Sequence, residues 1–167
     1  MANYYGKYRG VVVNNLDPMQ QGRIQVTCPD ITLPPSTWAL PCFPVAGIQA
    51  GAWMLPNPGT GVWLEFEQGN PNYPIWSGCW YGSAAEVPAL VRAAPPVTPP
   101  ILFQTQGQTT MMLSDVPGPQ GGILLKTTTG AFISINETGI FISNGKGATI
   151  AMVGPSIAFN QTALTVT

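Results

Sequence analysis

The sequence predicts an all-β protein in two parts, a small barrel followed by a repeat of short strands. Of the 167 residues, 19 are glycine and 18 are proline, and they fall between short runs rich in Val, Ile, Trp, Phe and Thr. This distribution is typical of many short strands joined by turns. No window of a dozen residues carries a convincing amphipathic helical stripe with a cap before it.

The stretch from Pro56 to Gly82 carries the clearest hairpin pattern of the barrel. Residues from Val62 to Glu67 alternate between apolar residues and Trp or Glu, a period of two that predicts a strand buried on one face. Gln68 to Asn72 are turn-forming residues, and a second strand is predicted from Tyr73 to Tyr81. Glycine and proline therefore join two strands at this point.

The residues before this hairpin supply the other strands of the predicted barrel. Tyr8 to Val13 and Gly22 to Thr27 are two predicted strands joined by a polar loop. Prolines break the segment from Cys28 to Pro44, which predicts a loop and a short edge strand around Trp38 to Cys42. Residues 1–83 thus predict a small closed or partly open barrel of five or six strands.

A change of composition separates the two parts. Residues 84–103 contain five prolines among alanines and valines. Proline cannot donate a ladder hydrogen bond, so this segment is predicted to be an extended, semi-rigid linker.

The last part, residues 104–167, repeats single short strands. From Gly122 onward, alternating strands recur about every eight residues. One such strand cannot bury its apolar face alone, and both a single-chain solenoid and an intertwined oligomer would solve this problem. Coils this short favour three chains that each contribute one strand per level of a prism. The predicted trimer core consists of the apolar residues that alternate with Ser, Thr and Asn: Ile133, Ile135, Ile140, Ile142, Ile150, Met152, Ile157 and Phe159.

The charge content limits the classes of partner. Only 8% of the residues are charged and the net charge is -1, which gives no basic surface for nucleic acid or an anionic membrane. With 45% apolar residues, part of the surface is expected to be covered by another copy of the chain. The sequence has no apolar run long enough to span a membrane and no secretory signal, so we expect synthesis in the cytoplasm.

The sequence offers little that could catalyse a reaction or hold a metal. It contains no histidine, the commonest general base and transition-metal ligand. Cys28, Cys42 and Cys79 have no metal-binding spacing and are predicted to be buried free thiols. We therefore predict no catalytic residues, no metal and no cofactor.

Two groups of residues leave alternatives open. Glu65 and Glu67 lie two apart on a predicted strand; a solvated outer face is favoured over a pair of catalytic carboxylates. The five tryptophans could form a stacking platform for sugars or bases, or could pack in the barrel core and at interfaces. They are Trp38, Trp53, Trp63, Trp76 and Trp80.

The barrel residues also carry a family resemblance, which lies in the order and spacing of individually weak motifs. These motifs are Gly10-Val11-Val12, Asn15, Asp17-Pro18, Gly22-Arg23-Ile24-Gln25-Val26, Pro29, Trp38 to Pro44, Pro56, Gly59, Val62, Leu64, Phe66-Glu67, Gly69, Pro71, Pro74 and Gly78. The chain resembles the central spike proteins of contractile tails: the phage baseplate assembly protein V family and the VgrG protein of type VI secretion. The resemblance implies an N-terminal OB-fold barrel followed by a C-terminal intertwined trimeric β-prism or β-helix.

The resemblance also implies a function and a set of partners. The chain would be the homotrimeric central spike of a phage virion or contractile injection particle, with a hub protein at the barrel end and other baseplate proteins around it. A PAAR-type tip protein would contact the C-terminal end, at Leu164, Thr165, Val166 and Thr167. The target envelope would be contacted only transiently, and nucleic acid not at all.

Three departures from the family narrow these expectations. The chain starts at the barrel, so a separate hub is expected in place of the fused hub domain of VgrG. No lysozyme-like insertion separates barrel from prism, so the cell-wall-cutting activity of some relatives is not implied. The iron site that some spikes build from His-x-His has no ligands here, because histidine is absent.

The sequence is compatible with two rival functions. A tail-associated cell-wall hydrolase would need a catalytic acid in a cleft and would clear a suspension of cell walls. A monomeric OB-type module that binds glycans or nucleic acid would have a solution mass near 17.7 kDa.

Overall fold

The chain folds into two compact units, residues 1–86 and 87–167. The structure is a computed structural model, which describes residues 3–31, 37–161 and 163–166. The division between the units falls inside the segment that the sequence predicts to be a linker.

The first unit is a five-stranded sheet curled into a barrel. Its strands and those of a small separate ribbon are β1 (Tyr8–Asn14), β2 (Gln25–Thr27), β3 (Leu40–Pro41), β4 (Ala46–Gly47), β5 (Ala50–Gly51), β6 (Gly61–Phe66) and β7 (Pro74–Trp80). The barrel strands follow the order β2-β1-β6-β7-β3, and β4 and β5 form the separate two-stranded ribbon. A bridge between Ile24 and Ala39 joins the two ends of the order and closes the barrel.

Alternating side chains from these strands fill the interior of the barrel. Val62, Leu64 and Phe66 of β6 point inward and are buried, as the period of two predicts. Trp76 of β7 is only 5% exposed, and its indole Nε1 donates a hydrogen bond of 3.1 Å to the carbonyl oxygen of Gly22. The hairpin predicted from Pro56 to Gly82 therefore supplies much of the barrel core.

The segment predicted to be an extended linker is partly helical. A short helix, α1, spans Ala89–Ala93. It ends where Ala94 turns to extended angles, because Pro95 disfavours the helical conformation of the residue before it. The last residues of the predicted linker belong to a strand that begins at Ile101, so the prolines before it precede the sheet rather than interrupt it.

The second unit is a single antiparallel sheet of eight strands. They are β8 (Ile101–Gln104), β9 (Thr110–Ser114), β10 (Gly122–Lys126), β11 (Phe132–Asn136), β12 (Gly139–Ser143), β13 (Thr149–Val153), β14 (Ser156–Phe159) and β15 (Leu164–Val166). Their order in the sheet is their order in the chain. At about 4.8 Å per strand spacing and about 3.3 Å per residue, the sheet is roughly 34 Å long and 17 Å wide.

The strand ladders of this sheet run within one chain. Short loops place each strand beside its predecessor, so both ladder sides of β9 to β14 are occupied by neighbours from the same chain. The prediction that three chains each contribute one strand per level of a prism stays a prediction, because a sheet with ladders of this kind can form one side of such a prism. In the structure, the surfaces left for other chains are the two faces and the two outer edges of the sheet.

Candidate oligomerisation surface

The register of the eight-stranded sheet aligns its apolar residues from strand to strand. Ile133 lies opposite Ile142, which in turn lies opposite Ile150. Two positions along, Ile135 lies opposite Ile140. Because directly opposed residues in an antiparallel pair project to the same face, this register places them all on one side of the sheet.

The alignment extends over the whole sheet and forms two parallel columns, which we call the apolar face. The first column is Ile101, Leu113, Ile123, Ile135, Ile140, Met152 and Ile157. The second column is Phe103, Met111, Leu125, Ile133, Ile142, Ile150, Phe159 and Leu164. None of these fifteen side chains is polar.

The apolar face is open in the single chain. Eleven of its side chains keep between 36% and 60% of their surface exposed, with Met152 the least and Ile101 the most exposed of these. The other four, Ile140, Ile142, Ile150 and Ile157, are half-buried. A soluble monomer rarely exposes so large a contiguous apolar patch, so this face has the properties of an interface.

The opposite face of the sheet differs from the apolar face in its residue composition and in being partly buried by the segment before β8. Beyond β10 its central positions are small or mixed: Ser134, Phe141, Ala151 and Ala158. At the β8 end, Thr110 and Met112 are 4% and 8% exposed. A groove of about 390 Å³ lies there, lined by Leu90 and Pro100 from the segment before β8 and by Met112 and Leu124 from the sheet. The chain thus partly covers this face itself and leaves the apolar face bare.

All eight residues predicted to form the trimer core lie on the apolar face. Of the other seven residues, Leu164 is predicted from the sequence as a contact of the tip protein, and six are not predicted: Ile101, Phe103, Met111, Leu113, Ile123 and Leu125. In β8, β9 and β10 the residues between them, Leu102, Met112 and Leu124, are also apolar because they lie on the partly covered opposite face. Consecutive apolar residues hide the period of two by which the later strands were recognised.

The predicted contact with a tip protein falls on the last strand of the sheet. Leu164 is 57% exposed and lies opposite Phe159. Thr165 and Val166 continue β15 in register with Ala158 and Ile157. Thr167 lies outside the described residues. Among the described residues, β15 pairs with β14 alone, which leaves one side of its backbone without a strand partner there.

The five tryptophans do not form one platform. Trp76 is buried in the barrel, whereas Trp53 is 60% exposed and packs on Phe43. Trp63 and Trp80 lie on the outer wall, with ring centroids 6.4 Å apart. Trp38 lies against the guanidinium of Arg23, at 5.4 Å. One indole, that of Trp76, thus packs in the core, and the other four lie at separate places on the barrel surface.

The carboxylates of Glu65 and Glu67 do not form a site together. Glu65 lies in β6 and makes an ion pair of 2.8 Å with Lys7. Glu67 follows the end of β6 and begins a short 3-10 turn. The favoured prediction of a solvated face is therefore consistent with the position of both residues.

Cysteine burial was predicted correctly for one of three residues. Cys28 is buried in the barrel core, and burial raises the pKa of its thiol. Cys42 and Cys79 are also free thiols but are exposed, which corrects the prediction that all three are buried. In residues 3–31, 37–161 and 163–166, no three His, Cys, Asp or Glu side chains are grouped closely enough to hold a metal ion. The same residues contain no helix long and apolar enough to cross a membrane.

Comparison with protein families assigns both units of the chain. Residues 8–81 match the model of the type VI secretion system/phage-baseplate injector OB domain. Residues 100–165 match the model of the phage baseplate V C-terminal trimerisation domain. The chain belongs to the phage baseplate V family. No curated protein matches it.

Membership of the baseplate V family confirms the resemblance and the all-β fold class inferred from the sequence, with an OB domain first. A trimerisation domain in the second unit supports a homotrimer in a baseplate. The family has a structural role in phage or type VI baseplates and so places the chain in a virion or injection particle.

Proposed function

We propose that this protein is the homotrimeric central spike of a contractile injection machine and pierces the target envelope mechanically. The observation that carries the proposal is the apolar face, fifteen apolar side chains aligned in two columns over eight strands. A trimerisation domain that leaves this face bare in the single chain has a surface suited to two further copies.

In the proposed trimer, three sheets turn their apolar faces toward a common axis. Sheets that pack face to face lie about 10 Å apart, and the side chains of facing columns interdigitate at that distance. Ile133, Ile142 and Ile150 would form the middle of this core, where β-branched residues fit a pleated surface well. The small and polar side chains of the opposite face would remain on the outside.

The shape of the sheet suits a needle. It extends roughly 34 Å along the direction of strand stacking and about half as far across. The ladders of the inner strands are complete within each chain, so bending the needle would strain hydrogen bonds in all three sheets at once. A dry apolar core resists compression, because protein interiors are packed as densely as organic crystals.

In this proposal the two units of the chain bind different partners. The OB barrel would bind a separate hub protein and neighbouring baseplate proteins. The unpaired edge of β15, with Leu164 beside it, would receive a PAAR-type tip protein. The protein would be made in the cytoplasm and act without catalytic residues or cofactor.

The mass of the purified chain in solution tests the trimer. A chain of 17.7 kDa gives a trimer of about 53 kDa, three times that mass. Light scattering coupled to size exclusion should report the trimer at micromolar concentration. A mass near that of one chain would overturn the proposal.

Substitutions at two neighbouring residues test which face forms the core. Ile150→Asp should abolish the trimer, because three carboxylates would be buried near the axis without partners. Thr149→Asp is the matched control, since Thr149 lies beside Ile150 on the opposite face and is paired with Ser143. The control should remain trimeric. An intact Ile150→Asp trimer would show that the core lies elsewhere.

A further inference from the structure

The outer wall of the barrel holds an arginine between two tryptophans. The guanidinium carbon of Arg9 lies 5.5 Å from the centre of the Trp63 ring and 5.1 Å from that of Trp80. Arg9 is exposed, and both indoles are half-buried. We call this group of three side chains the Arg9 clamp.

Neighbouring residues fix the two indoles of the Arg9 clamp. The sheet register places Arg9 opposite Trp63, and Gly61 opposite Trp80. The Trp80 ring lies so close over Gly61 that a Cβ there would be 2.6 Å from it. The indole Nε1 of Trp80 donates a hydrogen bond of 3.3 Å to the carbonyl oxygen of Val62. The clamp is therefore formed before any ligand arrives.

The charge of Arg9 has no carboxylate partner in the described part of the barrel unit. Lys7 pairs with Glu65 at 2.8 Å, and Arg23 pairs with Asp17 at 2.6 Å. Glu65 projects to the same side as Trp63, but its oxygen is engaged by Lys7. Arg9 makes no hydrogen bond or ion pair with a described residue, so its five N–H donors remain available.

We propose that the Arg9 clamp is a docking site for a carboxylate side chain of the hub protein. Guanidinium binds carboxylate through two parallel hydrogen bonds, and tryptophan and arginine are both enriched among the residues that dominate binding energy at protein interfaces. The cation–π contacts hold the guanidinium in place, so little side-chain entropy is lost on binding. This inference rests on the proposed function, which supplies the hub.

The surroundings of the clamp favour a protein partner over a nucleic acid or a lipid surface. Those partners present rows of phosphates and need several cations. Among the described residues, the clamp offers the charge of Arg9 without a second available cation beside it, since Lys7 is paired with Glu65 and the whole chain has a net charge of -1. A single fixed guanidinium flanked by apolar rings fits one acidic side chain in an otherwise apolar contact.

The test uses assembled particles and four forms of the full chain: wild type, Arg9→Glu, Arg9→Lys and Lys146→Glu. Each form replaces the native copy, particles are purified, and the spike retained per particle is measured by quantitative mass spectrometry. Arg9→Glu should reduce retention at least tenfold, because it opposes the partner's carboxylate. Arg9→Lys should reduce retention by a smaller factor, since lysine keeps the charge but lacks the planar fork of donors. Lys146→Glu, the same reversal at an exposed turn of the second unit, should match wild type.

The outcomes separate this inference from the proposed function. Absence of the wild-type chain from particles would overturn the proposed function and, with it, the hub as ligand. If wild type and Arg9→Glu are retained equally, the proposed role of the clamp is wrong and the proposed function stands. Each purified variant is also examined by light scattering. Dissociation of the Arg9→Glu trimer would overturn the proposal too, because the clamp would then join copies of this chain.

Discussion

Ile24 and Ala39 exchange two backbone hydrogen bonds and close the barrel. The amide of Ile24 donates to the carbonyl of Ala39 at 3.1 Å, and the amide of Ala39 donates back at 2.8 Å. Both residues are completely buried. Because β2 and β3 stand at opposite ends of the strand order, this pair joins the two edges of the sheet.

Truncation at this closure should destabilise the barrel. Ile24→Ala is expected to lower its free energy of unfolding by about 2 to 5 kcal/mol, the range for large-to-small substitutions in cores. Val13→Ala, at a site 51% exposed, should cost less than about 1 kcal/mol. All five tryptophans lie in the first unit, so denaturant unfolding followed by tryptophan fluorescence reports on the barrel. Equal losses for the two variants would contradict the role assigned to Ile24.

Asp17 organises the loop between β1 and β2. Its carboxylate accepts backbone hydrogen bonds from Met19 at 3.0 Å, Gln21 at 2.8 Å and Arg23 at 3.2 Å. It also accepts two from the Arg23 guanidinium, at 3.0 and 2.6 Å. The Arg23 side chain, together with the three backbone amides, holds the pKa of Asp17 well below its usual range, although burial opposes this shift.

The lowered pKa of Asp17 predicts a loss of stability in acid. The unfolded chain binds this proton near pH 3.9, whereas the folded chain binds it only at lower pH. The contribution is therefore complete above about pH 4 and is lost as the pH falls below that value toward the folded pKa. The thermal unfolding midpoint of wild type should exceed that of Asp17→Asn at pH 6, and this difference should narrow at pH 3. The difference between wild type and the control Glu67→Gln should narrow less. A midpoint of Asp17→Asn that falls in acid as far as that of wild type would exclude this role.

Gly61 is predicted to be required for the position of Trp80. In Gly61→Ala the new methyl group would collide with the indole ring, so the Nε1 bond to Val62 would break and the ring would leave Arg9. Overpacking of this kind costs about 1 to 3 kcal/mol. Gly47→Ala is the control, since the nearest atom to its Cβ is 3.8 Å away. Fluorescence emission should shift to longer wavelength in the first variant only; an unshifted spectrum would show that Trp80 adapts.

The eight-stranded sheet of the second unit shows how much of a structure an alternating pattern in the sequence can predict. In β11 and β12, Ile133 and Ile135, and likewise Ile140 and Ile142, alternate with other residues, so the period alone places each pair on one face of its strand. In β8 to β10 the same period is masked by apolar residues on both faces. The pattern also could not say whether strands pair within a chain or between chains, because both arrangements bury the same residues.

The sequence by itself determined the all-β class, the barrel hairpin and the family resemblance, and it predicted eight apolar residues of the later strands that share one face. These depend on local alternation, turn residues and motif order, which are properties of neighbouring positions in the chain. The tertiary structure alone decided the closure at Ile24 and Ala39, the register that aligns fifteen apolar side chains, and the meeting of Arg9 with Trp63 and Trp80. Each of these depends on the pairing of distant strands, and a shift of one residue in that pairing would send every side chain to the other face.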